Sequence, residues 1–350
     1  MAILNLLAAC GLLLGSAQSA CAFGYGPLPG QIKNLVTFGD SYTDVVSSQL
    51  IAAIYTSYPA TQAVPGDHGI AWPIFAAEDG NLTLYPFARS GATCSNNLTA
   101  RPFPSVFESQ LPTYFEEVAN GTLDLNPHDT IYTLWIGTND VGVDALLTGD
   151  QTPGVTVVDT VTCAVNWVKV LYENGARNFL FQNMLPLQNT VLYAADSYPN
   201  HYWTYERNTT EWNVFMTELT QTANNLSALM LQSLTPALPG AHIGYFSSYD
   251  LVSDIINHPA NYLNGTAPLN VTGCVNACVY QLNGNSSGPA ACTVANGSDA
   301  YSFLWYDELH PSQQTDGVIG KAIAAAITRT SDQWTTWLTS VNEERGPKRS

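Results

Sequence analysis

Four short segments of this 350-residue chain carry side chains that, if brought together, would transfer an acyl group through a serine nucleophile. One is Thr37-Phe38-Gly39-Asp40-Ser41-Tyr42-Thr43-Asp44. A serine is a weak nucleophile until a base takes its proton, and a serine opening a helix also meets the unpaired N–H groups found there. The base is offered by Tyr306-Asp307-Glu308-Leu309-His310-Pro311-Ser312. With Asp three residues before His on a tight loop, the carboxylate can accept from Nδ1–H and leave Nε2 free to take the serine proton. Two further segments can supply donors for an acyl oxyanion. In Phe87-Ala88-Arg89-Ser90-Gly91-Ala92-Thr93-Cys94, Gly91 lets its N–H come close to an acyl oxygen, and in Trp135-Ile136-Gly137-Thr138-Asn139-Asp140, Asn139 carries an amide donor.

Each segment also has a plainer reading. Asp40 or Ser41 can simply cap a helix, Gly91 and Gly-Thr-Asn-Asp can be ordinary turns, and Pro311 can start the last helix with His310 near its cap. Glu308 competes with Asp307 as the group that orients His310, but its adjacent position should point it elsewhere. As an ordered set, the four segments are far less expected by chance than any one of them.

The elements that must position these residues alternate between short apolar strands and longer helical patterns, the signature of an α/β fold with a mainly parallel sheet. Strands are expected at Leu35 to Phe38, Leu82 to Phe87, Thr130 to Ile136, Asn178 to Met184 and His242 to Phe246. Helices are expected at about Val45 to Tyr55, Val157 to Asn174, Thr210 to Leu231 and Gly317 to Leu338. In the second helix Val158, Val161, Ala164, Val165, Val168 and Leu171 recur at helical spacing, and Gly175 follows as a C-cap residue. Three of the four segments directly follow a strand, where α/β sheets gather their reactive groups. Asn257 to Ser298, rich in Asn, Gly, Ser and Cys, reads as a loop insertion near 257–300.

Residues 1–22 read as a secretion signal, with an apolar run from Ile3 to Leu14 and a small-residue end at Ala20-Cys21-Ala22, cleaved somewhere between Ser19 and Ala22. Residues 23–340 then form a single domain and residues 341–350 a frayed tail. Secretion also fits nine Asn-x-Ser/Thr acceptors, at Asn81, Asn97, Asn120, Asn208, Asn225, Asn264, Asn270, Asn285 and Asn296. Cys274, Cys278 and Cys292 lack a partner histidine at finger spacing and read as a disulfide-tied loop, with no metal expected. The net charge of −17 disfavours nucleic acid, anionic membranes and polyanionic substrates as partners. No stretch beyond the signal is long and apolar enough for a membrane helix, and a monomer is the default expectation. His68, His128, His201, His242 and His258 lack a partnered motif, although His258 beside Pro259 is expected on a loop near the site. Trp72, Tyr85 and Trp305 are candidates for stacking on a sugar, with core packing the alternative.

The ordered set Gly-Asp-Ser, Gly, Gly-x-Asn-Asp and Asp-x-x-His resembles the four sequence blocks of the GDSL/SGNH hydrolase superfamily, from about Leu35 to Ser312. Within it, the segments Tyr85 to Cys94 and Trp305 to Ser312 resemble the secreted fungal acetylesterases of carbohydrate esterase family sixteen. Tyr42 stands where many members carry Leu, which should alter local packing without removing a reactive group. The resemblance implies a three-layer α/β/α, flavodoxin-like fold with a mainly parallel five-stranded sheet and no cofactor. It implies Ser41 as nucleophile, His310 as base and then acid, and Asp307 as its orienting carboxylate. The oxyanion hole would comprise the N–H groups of Ser41 and Gly91 and the Asn139 amide. The implied activity is removal of small acyl groups, chiefly acetyl, from plant-wall oligosaccharides. A lipid-directed esterase or lysophospholipase of the same superfamily, or a non-catalytic carbohydrate-binding glycoprotein that kept the fold, are the alternatives.

Overall fold

The computed structural model describes residues 26–45 and 69–338. The expected secretion signal with Cys21, most of the helix expected from Val45 to Tyr55, His68 and the 341–350 tail lie outside the described residues.

All five expected strands are present, as β1 (Asn34–Gly39), β2 (Thr83–Pro86), β3 (Thr130–Trp135), β4 (Asn178–Gln182) and β5 (His242–Phe246). They pair in parallel in the order 2-1-3-4-5. Every residue of β3 and β4 is buried, as continuous apolar runs in a sheet covered on both faces should be. Seven described α-helices accompany them: α1 (Trp72–Gly80), α2 (Leu111–Ala119), α3 (Thr138–Val141), α4 (Val157–Glu173), α5 (Thr209–Leu234), α6 (Ser248–Asn257) and α7 (Gln313–Thr328). Helix α1 packs against α7, and α4 against α5. In α4 the expected apolar face is buried except for Val158, which is exposed. Aromatic rings fill the centre of the core: Phe38 stacks on Phe87 at 5.4 Å, and Trp167 meets the edges of Phe38 and Phe179 at 5.8 and 6.0 Å.

Three expectations need correction. The 257–300 insertion is more than a loop: it contains β6 (Asn270–Cys274), β7 (Asn276–Val279) and β8 (Ala291–Val294). Strand β6 pairs with β9 (Phe303–Trp305), while β7 and β8 form an antiparallel hairpin in which Cys278 and Cys292 stand opposite each other and are disulfide-bonded. The last helix ends at Thr328 rather than Leu338, because Arg329 turns left-handed with φ 61°. Beyond it Thr335–Leu338 forms β10, whose β-branched and aromatic side chains suit a strand. It pairs antiparallel with β5, so the main sheet has six strands rather than five. Among the described residues, no helix is long and apolar enough to cross a membrane.

Candidate active site

Strands β1 and β3 are neighbours from which the chain builds outward in opposite directions, to β2 on one side and to β4 and β5 on the other. Such a switch point leaves a crevice at the carboxyl ends of the strands, and the segments bearing Ser41 and Asn139 emerge there. Gly39, the last residue of β1, pairs with Trp135, the last of β3. Its N–H donates to Gln110 Oε1 at 3.1 Å and its carbonyl accepts from Gln110 Nε2 at 2.8 Å. With φ at +147°, a Cβ on Gly39 would lie 2.3 Å from the Trp135 carbonyl oxygen, so only glycine fits. Asp40 then shapes the turn that presents Ser41: its carbonyl accepts from the N–H groups of Thr43 and Asp44, and its buried carboxylate accepts from Tyr42 N–H at 3.1 Å.

Across the crevice, the loop after β9 brings His310 to Ser41. His310 Nε2 lies 2.7 Å from Ser41 Oγ. Its Nδ1 lies 3.1 Å from each carboxylate oxygen of Asp307, whose Oδ1 also accepts from the N–H groups of Leu309 and His310 at 2.8 and 2.7 Å. Glu308 points elsewhere, as expected: its carboxylate accepts from Tyr198 Oη at 2.9 Å and Cys278 N–H at 2.8 Å. Tyr42 does more than alter packing. Its ring stands edge-on to the His310 imidazole at 5.5 Å and its hydroxyl donates to the Leu309 carbonyl at 3.1 Å, which braces the histidine loop against the serine turn.

Carboxylates tie the Gly91 segment to the serine turn and the Asn139 segment to the Gly91 segment. Asp44 accepts from the N–H and hydroxyl of Ser90 at 2.8 and 2.9 Å, and Asp140 accepts from Cys94 N–H at 3.0 Å. Gly91 sits between these anchors with φ at +78°, where an added Cβ would meet the Phe103 ring at 2.5 Å. The Asn139 amide is held at both ends. Its Nδ2 donates to the Ala92 carbonyl at 2.9 Å, and its Oδ1 accepts from Arg101 Nη1 at 3.1 Å. Arg101 is itself anchored by donating to the Val143 carbonyl.

Two residues of this arrangement escaped the sequence reading, Arg101 and Tyr202. The Tyr202 hydroxyl donates to Asp307 Oδ2 at 2.6 Å and lies 2.9 Å from His310 Nδ1. Neither lies in a recognisable segment, and only the fold brings them to the site.

The electrostatics divide the carboxylates into two kinds. Burial alone would raise the Asp307 pKa, but the neighbouring His310 charge and hydrogen bonds from His310 and Tyr202 outweigh it and hold the group at about 2. Asp40 and Asp140 are pushed up to about 7, chiefly by burial, with few hydrogen bonds to offset it. Asp307 therefore stays ionised beside the imidazole, while burial moves the titration of the other two toward neutral pH.

Other expected residues fall away from this cluster. Trp72 and Trp305 are fully buried, with their indole N–H groups donating to Thr43 Oγ1 and the Val271 carbonyl, so they are core residues. Tyr85 is half-buried in β2. His258 Nδ1 pairs with Asp254 Oδ1 at 2.8 Å at the end of α6. Cys94 is bonded to Cys163, and Cys274 is buried with no disulfide partner among the described residues. Eight of the nine acceptor asparagines are exposed, and Asn270 is half-buried.

The family model described as GDSL-like lipase/acylhydrolase matches residues 35–323, most of the chain. An acetylesterase of Hypocrea jecorina is 30% identical over 350 aligned residues, covering 90% of this chain and 95% of that protein. An acetylesterase of Thermothelomyces thermophilus is 22% identical, covering 90% of this chain and 94% of its own length. A GDSL esterase/lipase of Arabidopsis thaliana is 23% identical over 88% of this chain and 81% of that protein.

Proposed function

This chain belongs to the GDSL-like lipase/acylhydrolase family and is a carboxylic ester hydrolase, and from that premise we propose that it removes acetyl groups from plant-wall oligosaccharides through an acyl-enzyme on Ser41. The observation that carries the proposal is the 2.7 Å contact between Ser41 Oγ and His310 Nε2, with Nδ1 of the same ring on Asp307. His310 takes the serine proton as Oγ attacks the ester carbonyl carbon. The carbonyl oxygen takes up the negative charge and accepts from the N–H groups of Ser41 and Gly91 and from Asn139 Nδ2. When the tetrahedral intermediate collapses, His310 passes its proton to the departing sugar oxygen and the acetyl group stays on Ser41. Water, deprotonated by His310, then attacks the acetyl carbon, and the proton returns to Ser41 as acetate leaves. Asp307, ionised far below neutral pH, keeps Nδ1–H directed toward itself and stabilises the imidazolium formed in each half.

The acetyl preference draws support from the two fungal acetylesterases, each aligned over most of its length. Secretion as a glycoprotein is part of the same proposal, motivated by the apolar leader and the exposed acceptor asparagines. A panel of aryl esters of rising acyl length, followed by acetylated xylo-oligosaccharides, tests the reading. We expect kcat/KM to fall as the acyl chain lengthens beyond acetate. Faster cleavage of long-chain esters than of acetate would instead mark a lipid-directed esterase.

A further inference from the structure

Beside the site lies a cleft of about 510 Å³ whose lining includes Asp144, Tyr202, Trp203, Tyr205, Asn283 and Asn285. One wall is the segment 199–206 and the other is the tip of the disulfide-closed β7–β8 hairpin. The walls are stitched together by Tyr280 N–H to the Pro199 carbonyl at 2.9 Å, Asn283 N–H to the Thr204 carbonyl at 2.8 Å, and Thr204 Oγ1 to the Gly284 carbonyl at 2.6 Å. Tyr202 joins the cleft to the Asp307/His310 pair through its hydroxyl. Asp144 joins it to the other half of the site, because it follows Val143, whose carbonyl anchors Arg101 and thereby Asn139. The cleft is therefore joined to the proposed base through Tyr202 and to the proposed oxyanion donor through the Val143–Asp144 segment and Arg101.

We infer that this cleft is the subsite for the sugar of the substrate, an uncharged pyranose ring stacked on the face of Tyr205; the inference rests on the esterase reading above. Tyr205 is 58% exposed, the most exposed of the large aromatic side chains among the described residues. Its ring is nevertheless braced, edge-on to Trp203 at 5.4 Å, while Trp203 leans on Trp212 at 5.2 Å. A fixed, solvent-facing ring suits the C–H face of a sugar, whose positively polarised hydrogens meet the electron-rich ring face. Around the ring the lining is polar: Asp144, Asn283 and Ser286 offer acceptors and donors for hydroxyl groups. Asn283 Oδ1 accepts from Glu206 N–H at 3.1 Å, which leaves Nδ2 for a sugar hydroxyl. A lipid chain would need continuous apolar walls, and the Asp144 carboxylate opposes acidic sugars. The cleft volume falls in the range of about 300–1,000 Å³ usual for small-ligand sites.

The test compares the parent protein with Tyr205→Ala and Tyr205→Phe after enzymatic removal of N-linked glycans, since Asn285 on the rim is an acceptor. The first readout is kcat/KM on an acetylated xylotriose relative to kcat/KM on an aryl acetate, which has no pyranose ring. We expect Tyr205→Ala to lower this ratio about tenfold, equivalent to about 1.4 kcal/mol, through KM, and Tyr205→Phe to restore it. The second readout is calorimetric titration with unacetylated xylotriose, which needs no ester hydrolysis. Binding to the parent and to Tyr205→Phe, weakened about tenfold in Tyr205→Ala, would support the subsite even if esters were not cleaved, and would then sink only the esterase reading. Ester hydrolysis with an unchanged ratio in Tyr205→Ala, or no binding of xylotriose to the parent, would overturn the subsite and leave the esterase reading standing.

Discussion

At the residue scale, the proposed nucleophile depends on groups far from it in sequence. Ser41 and His310 are 269 positions apart and meet at 2.7 Å, and Asn139 is fixed by Arg101, 38 positions away. An unheld Asn amide could turn its oxygen toward the oxyanion, which would repel it. With Asn139 in its proposed role, Asn139→Ala should lower kcat by about 100-fold to 1,000-fold, the usual cost of losing one oxyanion donor. Arg101→Leu should give a smaller loss, about tenfold, because the donor is misdirected rather than deleted. That loss should fall on kcat with KM little changed, and Arg101→Lys should recover part of it. An Arg101→Leu enzyme with unaltered kcat would show that Asn139 needs no such support. The four segments were legible because each packs its candidate site residues and a turn into a few consecutive positions. Arg101 and Tyr202 were not, because each acts through one long-range hydrogen bond and leaves no local pattern.

At the element scale, alternation of strands and helices was enough to expect the parallel sheet and to place three of the segments at strand ends. The antiparallel β10 was missed because Thr335–Leu338 follows a strongly helical run, which masked its β-branched and aromatic composition. The hairpin in the insertion was masked by its polar composition, since β8 is exposed along its whole length and shows no alternation to read. The Cys94–Cys163 disulfide ties the turn that carries Gly91 to α4 and closes a loop of 69 residues. The chain-entropy estimate for such a loop is about 4 kcal/mol. Denaturant titration of the Cys94→Ala/Cys163→Ala double variant should therefore show a loss of about 2–5 kcal/mol. Activity should fall as well, because the turn carrying Gly91 loses its covalent tie to α4. Equal unfolding midpoints for the two proteins would contradict that role.

At the scale of the whole molecule, the net charge of −17 and the two buried carboxylates of raised pKa set how stability responds to pH. Asp40 and Asp140 titrate near 7 in the folded protein, against 3.8 as their ordinary value. Between those limits the folded state binds more protons than the unfolded state, so stability falls as pH rises through that window. Asp307 has the opposite sign, but its window lies between about 2 and 3.8, below the range that matters here. The protein should accordingly melt at a higher temperature at pH 5 than at pH 8, and Asp140→Asn should narrow the difference. A melting temperature that rises steadily from pH 5 to pH 8 would refute the assignment of those two carboxylates. Hydrolysis should behave differently, declining as acid protonates the imidazole proposed to accept the Ser41 proton.

The central functional claim is that Ser41 is the nucleophile. It is tested most directly by treating the folded, ester-hydrolysing protein with a fluorophosphonate and mapping the adduct by peptide mass spectrometry. One phosphonyl group on Ser41, appearing in step with the loss of hydrolysis and absent from His310→Ala, is the result predicted here. Loss of hydrolysis with the adduct on another residue, or full labelling with hydrolysis intact, would contradict it.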